Sequence, residues 1–228
     1  ESDTLRFDVE VRPDTSRPRL AESVPADSSR AILPRQRFDI WFSEAVDTAG
    51  TLRAVALLDT AGESLPVTAT WHTPAHLSLN PSATLPARCW LRLTLDGPRF
   101  RDFAGNALGD STVTLWFQAV QQDTLSSISG RITDQRPDGK GPVHLILRRP
   151  QGDWRREIVL PAPGPYLFRD LFPGLYVLEL YRDRNGDGQW SPGWTRPFEP
   201  AERYVVYPDT IKVRARWANE GNDFAIPW

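Results

Sequence analysis

The sequence predicts an all-β chain folded as two tandem antiparallel β-sandwiches. Three observations carry this. Polar and apolar residues alternate in segment after segment, as in RFDIWFS and TVTLWFQ, and a period of two sends successive side chains to opposite faces of a strand. No long run keeps a helical period. The 21 prolines and 15 glycines interrupt the runs at short intervals, which suits short strands joined by tight turns.

Bulk properties narrow the classes further. With 40% apolar and 11% aromatic residues the chain can bury real cores. Its formal net charge of -2 offers no electrostatic footprint for nucleic acid or an anionic membrane. No stretch approaches the ~20 apolar residues of a membrane-spanning helix. Lys140 and Lys212 are the only lysines, an arginine bias that a GC-rich genome produces. Cys89 is the only cysteine, so neither a disulfide framework nor a cysteine metal site is expected. It lies in phase with Leu91, Leu93 and Leu95 and reads as a small buried apolar residue. The chain starts at Glu1 and has no methionine, so a removed leader or excision from a larger polypeptide is expected.

The elements follow in order. In residues 1–15, Leu5, Phe7, Val9 and Val11 alternate with polar residues, and Pro13 then breaks the pattern. This reads as the last strand of a preceding domain or as an edge strand. Residues 16–121 hold about seven short strands, the density of an immunoglobulin-type sandwich. Phe38, Ile40 and Phe42 alternate, Leu52 to Leu58 is a continuous apolar strand, and Leu65 to Trp71 and Leu77 to Leu79 flank a turn at Pro74. Cys89 to Leu95 alternates cleanly, and after a turn built on Gly105 and Asn106 the strand from Val113 to Phe117 closes the unit. Residues 122–127, QQDTLSS with its neighbour Gln121, read as a short linker. Residues 128–228 supply the second sandwich through ISGRIT, PVHLILRR, WRREIVL, PYLFRDL, GLYVLELYRD, RYVVY and DTIKVRARW.

At this point the motifs resemble known families. ESVPADSSRAILPRQRFDIWFSEAVD, LLDTAGESLPV and DFAGNAL resemble the bacterial Ig-like domains of surface-layer and other cell-envelope proteins. ISGRITD, GPVHLILRR and YLFRDLFPGLYVLELYRDRNGDG resemble prealbumin-like, carboxypeptidase-regulatory β-sandwiches. The tail FEPAERYVVYPDTIKVRARW is similar to the ends of Ig-domain surface lipoproteins of Gram-negative bacteria. The resemblance implies an extracytoplasmic, non-catalytic module at the cell surface or in the periplasm. It is expected to be part of a longer protein, with lipid attachment ahead of Glu1 as one way of holding it there.

Candidate sites are few. Asp183, Asn185, Asp187 and Gln189 in DRNGDGQ have the alternating oxygen-donor spacing of a calcium loop, with Gly188 at the sharp turn. The twelfth position is Trp194 rather than glutamate, with Glu199 the acid placed to substitute by reaching back. The alternative is a metal-free hairpin loop, rich in these residues because they accept positive φ. No cofactor is required; calcium is the one considered.

His72 and His76 are four apart, but Pro74 places them around a turn, where helical spacing has no meaning, so no zinc site is expected. His144 should face outward between Val143 and Leu145. No serine sits in a nucleophile elbow and no acid–base constellation stands out, so no catalytic residue is assigned.

Trp41, Trp90 and Trp116 are out of phase with their strands' apolar residues and should face away from the core. They form the candidate contact surface, for a neighbouring domain, an arginine-covered face or a stacked sugar. Trp190 and Trp194 should pack the acidic loop down. Trp217 continues the phase of Ile211, Val213 and Ala215 and is expected in the core.

The functional expectation is a non-enzymatic cell-envelope scaffold, stalk or adhesion-associated module. Its expected partners are neighbouring domains of the same polypeptide and a cell-surface protein or glycan. A carbohydrate-binding module and an accessory domain of a secreted hydrolase are the alternatives.

Overall fold

A computed structural model describes residues 13–135 and 139–227. The strand expected around Leu5 to Val11 lies outside the described residues. The chain divides into two compact units between Gln121 and Gln122.

The first unit contains β1 (Leu20–Val24), β2 (Ser29–Ile32), β3 (Phe38–Phe42), β4 (Val55–Leu58), β5 (Ser64–Leu65), β6 (Val67–Thr73), β7 (His76–Pro81), β8 (Trp90–Asp96) and β9 (Thr112–Ala119). One sheet has the order β1-β3-β7-β6 and the other β2-β9-β8-β4-β5. Pairing is antiparallel except between β2 and β9, which run parallel. Alternation decides the faces. Phe38, Ile40, Phe42, Leu77 and Leu79 point inward from one sheet, and Leu57, Leu91, Leu93, Leu95, Leu115 and Phe117 from the other. The Phe38 and Phe117 rings meet across the layers at 4.9 Å. Burial of each such side chain stabilises the fold by roughly 1.5–3 kcal/mol.

The second unit contains β10 (Ser126–Asp134), β11 (Val143–Arg148), β12 (Arg155–Leu160), β13 (Pro165–Leu171), β14 (Gly174–Arg182), β15 (Trp194–Thr195), β16 (Phe198–Glu199), β17 (Tyr204–Val206), β18 (Ile211–Val213) and β19 (Phe224–Ile226). The order β13-β10-β19 forms one layer and β12-β11-β14-β17 the other, with β18 also paired to β14 and β15-β16 a separate two-stranded ribbon. The β10–β19 pair is parallel. Ile128, Ile132, Phe168 and Phe224 from one layer and Val143, Leu145, Leu147, Leu178 and Leu180 from the other form the core.

Several local expectations change. Thr51–Ala54 is a 3-10 turn, so the strand expected from Leu52 begins only at Val55; Gly50 at φ 74 opens that turn. Residues 122–127 are folded into the second unit: Arg216 and Asn219 donate backbone N–H groups to Leu125 and Ser127, and β10 already starts at Ser126. Trp217 is 75% exposed rather than in the core. The strand ends at Val213, and Arg216, at φ 68, turns the backbone so that the earlier phase no longer applies. Cys89 is only partly buried, because it precedes β8, and its Sγ donates to the Pro86 carbonyl at 3.4 Å.

Candidate functional site

The outer face of the β1-β3-β7-β6 sheet carries a dense polar cluster. Register builds it. Asp39 lies opposite Ser78, and Trp41 opposite His76, across the β3–β7 ladder. The β6–β7 hairpin has a bulge at His72: Trp71 pairs with Leu77 and Thr73 with His76, leaving His72 as the extra residue. The ring keeps the outward phase of Thr68 and Thr70 and lies on the same outer face, and the His72 and His76 centroids are 4.8 Å apart. Trp41, predicted to face outward, does so and stacks on His76 at 4.5 Å and 11°.

Asp39 Oδ1 is the hub. It accepts from Ser78 Oγ at 2.5 Å, Arg37 Nη2 at 2.6 Å and His76 Nε2 at 2.9 Å. His72 Nε2 lies 2.8 Å from Ser78 Oγ. Burial alone would raise the Asp39 carboxyl, but hydrogen bonds from Ser78, Arg37 and His76 outweigh it and hold the pKa below the ordinary aspartate value.

A serine, two histidines and an aspartate suggest hydrolysis, but the order is wrong. In a nucleophilic triad the imidazole stands between hydroxyl and carboxylate. Here the hydroxyl stands between His72 and Asp39, and Ser78 is fully buried, so its oxygen meets no substrate.

The opposite outer face, on the β2-β9-β8-β4-β5 sheet, carries Trp90 and Trp116. They are 38% and 43% exposed, as their phase predicts. Arg92, two residues along β8 from Trp90, is the cross-strand partner of Trp116, and its guanidinium lies over that ring at 5.8 Å. With Ser28, Asp59, Thr60 and Gly62 they line an open groove. Thr60 Oγ1 accepts from the Trp90 backbone N–H at 3.0 Å and pins the rim. Thus the three expected contact tryptophans do not share one platform. Trp41 is on one sheet and the other two are on the second, because phase fixes which way a side chain points but not which layer its strand joins.

In the second unit the DRNGDGQ loop is held by its own donors. Asp183 is buried and accepts from Gly186 N at 2.6 Å and Gly188 N at 2.9 Å. Asn185 Nδ2 and Gln189 N each donate to Asp187. Glu202, not Glu199, closes the loop: it is buried and accepts from Arg184 N, Asn185 N and Ser191 N. Trp190 donates its ring N–H to the Glu202 carbonyl at 2.8 Å, whereas Trp194 is 65% exposed. Burial pushes the Asp183 carboxyl up, but the Gly188 and Gly186 amides and the charge of nearby His144 more than reverse this. His144, expected to face solvent, is buried under the stacked Tyr181 ring at 4.5 Å, with Nδ1 2.6 Å from Glu157.

The turn at Gly105 shows the same economy. Asp102 accepts both the backbone and side-chain N–H of Asn106 at 2.8 Å, and Gly105 takes φ 93, which few other residues tolerate.

Residues 14–119 match the family described as bacterial Ig-like domain. The first unit is a bacterial Ig-like domain. No curated protein matches the chain. Among solved structures, CopC from Methylosinus trichosporium OB3b is 12% identical over 46% of this chain and 95% of that chain, with a TM-score of 0.35. The N-terminal part of the bacterial S-layer protein SbsC is 10% identical over 84% and 43%, at 0.38. An L,D-transpeptidase from Mycobacterium smegmatis is 10% identical over 93% and 90%, at 0.42. The Ig-like domain thus carries both outer faces described above.

Sequence reasoning missed the Asp39, His72, Ser78 and His76 group. The available signal was that His76 and Ser78 share one phase in β7, opposite the outward residues Asp39 and Trp41 of β3.

Proposed function

We propose that the chain is a non-catalytic module of a larger exported bacterial protein, a scaffold or stalk segment that positions a partner at the cell envelope. The observation that carries this reading is the bacterial Ig-like domain at residues 14–119. The chemistry of its polar groups supports it: the hydroxyl, imidazoles and carboxylate that come together are spent on one another, and the one serine among them is sealed. The second unit adds a further closed core of its own. The test is a swap in the parent protein. Replacing both units with unrelated β-sandwiches should leave surface presentation intact, measured by protease shaving of whole cells. Loss of the parent's activity, with the swapped protein still at the surface, overturns a purely positioning role.

A second reading is favoured by one observation. Trp90 and Trp116 are part-exposed in the groove beside Arg92, Asp59 and Thr60, the mix of stacking and hydrogen-bonding groups that takes a sugar ring once Arg92 swings off Trp116. A glycan array should then give a signal that disappears in Trp116→Ala. A silent array for the unaltered chain ends this reading.

A further inference from the structure

We infer that Asp39, His72 and His76 form a binding site for a borderline divalent metal ion, zinc or copper(II), on the outer face of the Ig-like domain. Their ligand atoms, one carboxylate oxygen and two imidazole nitrogens, all lie within 4.8 Å of one another. A tetrahedral ion about 2.0–2.2 Å from each such ligand holds the ligand atoms about 3.3–3.6 Å apart, so the widest separation must close by up to about 1.5 Å as the ion enters. Two of the three are already nearly in place, with His76 Nε2 2.9 Å from Asp39 Oδ1.

The supporting shell is also there. Trp41 stacks on His76 and fixes its ring plane. Fully buried Ser78 donates to Asp39 Oδ1 and helps to fix the orientation of the carboxylate. Such outer partners set ligand direction in metal sites. One carboxylate oxygen with two imidazoles suits zinc or copper(II) and is too poor in oxygen for calcium or magnesium.

A cation already stands at this point. Arg37 Nη2 lies 2.6 Å from Asp39 Oδ1, 2.7 Å from Ser78 Oγ and 3.4 Å from His72 Nε2. A metal ion must displace it. The Arg37 side chain is 47% exposed, so it has solvent to swing into. For the metal to take the Nε2 lone pair of a neutral His76, the ring proton that Nε2 now gives to Asp39 Oδ1 must sit on Nδ1 instead, a tautomer exchange with no net proton released. Arg37 is therefore a built-in competitor, and the site fills only when the ion outbids a guanidinium.

The test uses the full chain with zinc and with cobalt(II) as a spectroscopic probe. One equivalent of zinc should bind by calorimetry, and cobalt(II) should give visible d–d bands of a four- or five-coordinate site. Arg37→Ala should tighten zinc on the order of tenfold by removing the competing charge. His72→Ala, at an exposed position, should keep the fold and weaken zinc by about tenfold or more. His76→Gln should do the same, with a far-UV spectrum to show that the sheet survives. Failure of the Arg37→Ala chain to bind zinc overturns the proposal. So does binding that is undiminished when both histidines are replaced.

Discussion

Phe117→Ala tests the packing argument most directly. Phe117 is fully buried and meets Phe38 at 4.9 Å across the two sheets of the Ig-like domain. Removing a buried phenylalanine costs about 3–5 kcal/mol, transfer and cavity terms together. The lost ring pair, worth about 0.5–1.5 kcal/mol, places this site toward the upper end. For a unit of roughly a hundred residues the unfolding entropy near Tm is about 0.2 kcal/mol/K, so a cost of about 4 kcal/mol lowers Tm by roughly 20 °C. Such a loss is a large part of the ~5–15 kcal/mol that holds a domain folded. Calorimetry on the full chain gives the size of the shift, and amide hydrogen exchange gives its place. Protection should fall in β3, β7, β8 and β9 and hold in β10, β11 and β14, whose core is a separate cluster. A cost under about 1 kcal/mol would mean that the layers do not pack through this ring. An equal loss of protection in both units would refute the assignment of one core to each.

Three further outcomes are expected. The carboxyls of Asp39, Asp102 and Asp183 are all held below the ordinary value of 3.8, so each binds its proton less readily folded than unfolded. Their contribution is present above that value and is lost as pH falls through the folded pKa values below it, so urea midpoints should drop on acidification from pH 5; a chain with all three as asparagine and an unchanged acid slope would contradict this. Gly141→Ala should cost about 2 kcal/mol or more in a urea titration, because φ is +88 there and a Cβ would run into the Asp183 carbonyl oxygen; a change under about 0.5 kcal/mol would count against that geometry. Calcium at Asp183, Asn185, Asp187 and Gln189 is proposed to raise Tm, with the rise lost in Asp187→Ala; an unaltered chain that ignores both calcium and chelator removes this proposal.

Much of the fold is legible along the chain because strand alternation is a local property. The phase that buries Phe38, Ile40 and Phe42 is written in five consecutive residues, and so is the outward direction of Trp41. Trp217 failed for a related reason: phase holds only while the backbone stays extended, and Arg216 breaks it. Direction relative to the sheet also did not fix exposure. His144 points away from the core and is still buried, because Tyr181 from the next strand covers it.

The sequence by itself determined the class of the chain, the all-β layering and the identity of most inward residues, since a two-residue period and its turn signals need no distant partner to be read. Only the tertiary structure decided which residues meet. Strand order put Trp41 on one sheet and Trp90 with Trp116 on the other. The β3–β7 register at Asp39 and Ser78, and the β6–β7 pairing that sets Thr70 opposite Ser78 with His72 next in phase, gathered a carboxylate, two imidazoles and a hydroxyl at one point. Such meetings depend on pairings between segments some 35 residues apart, Arg37 with His72 for example, and a period of two carries no record of them.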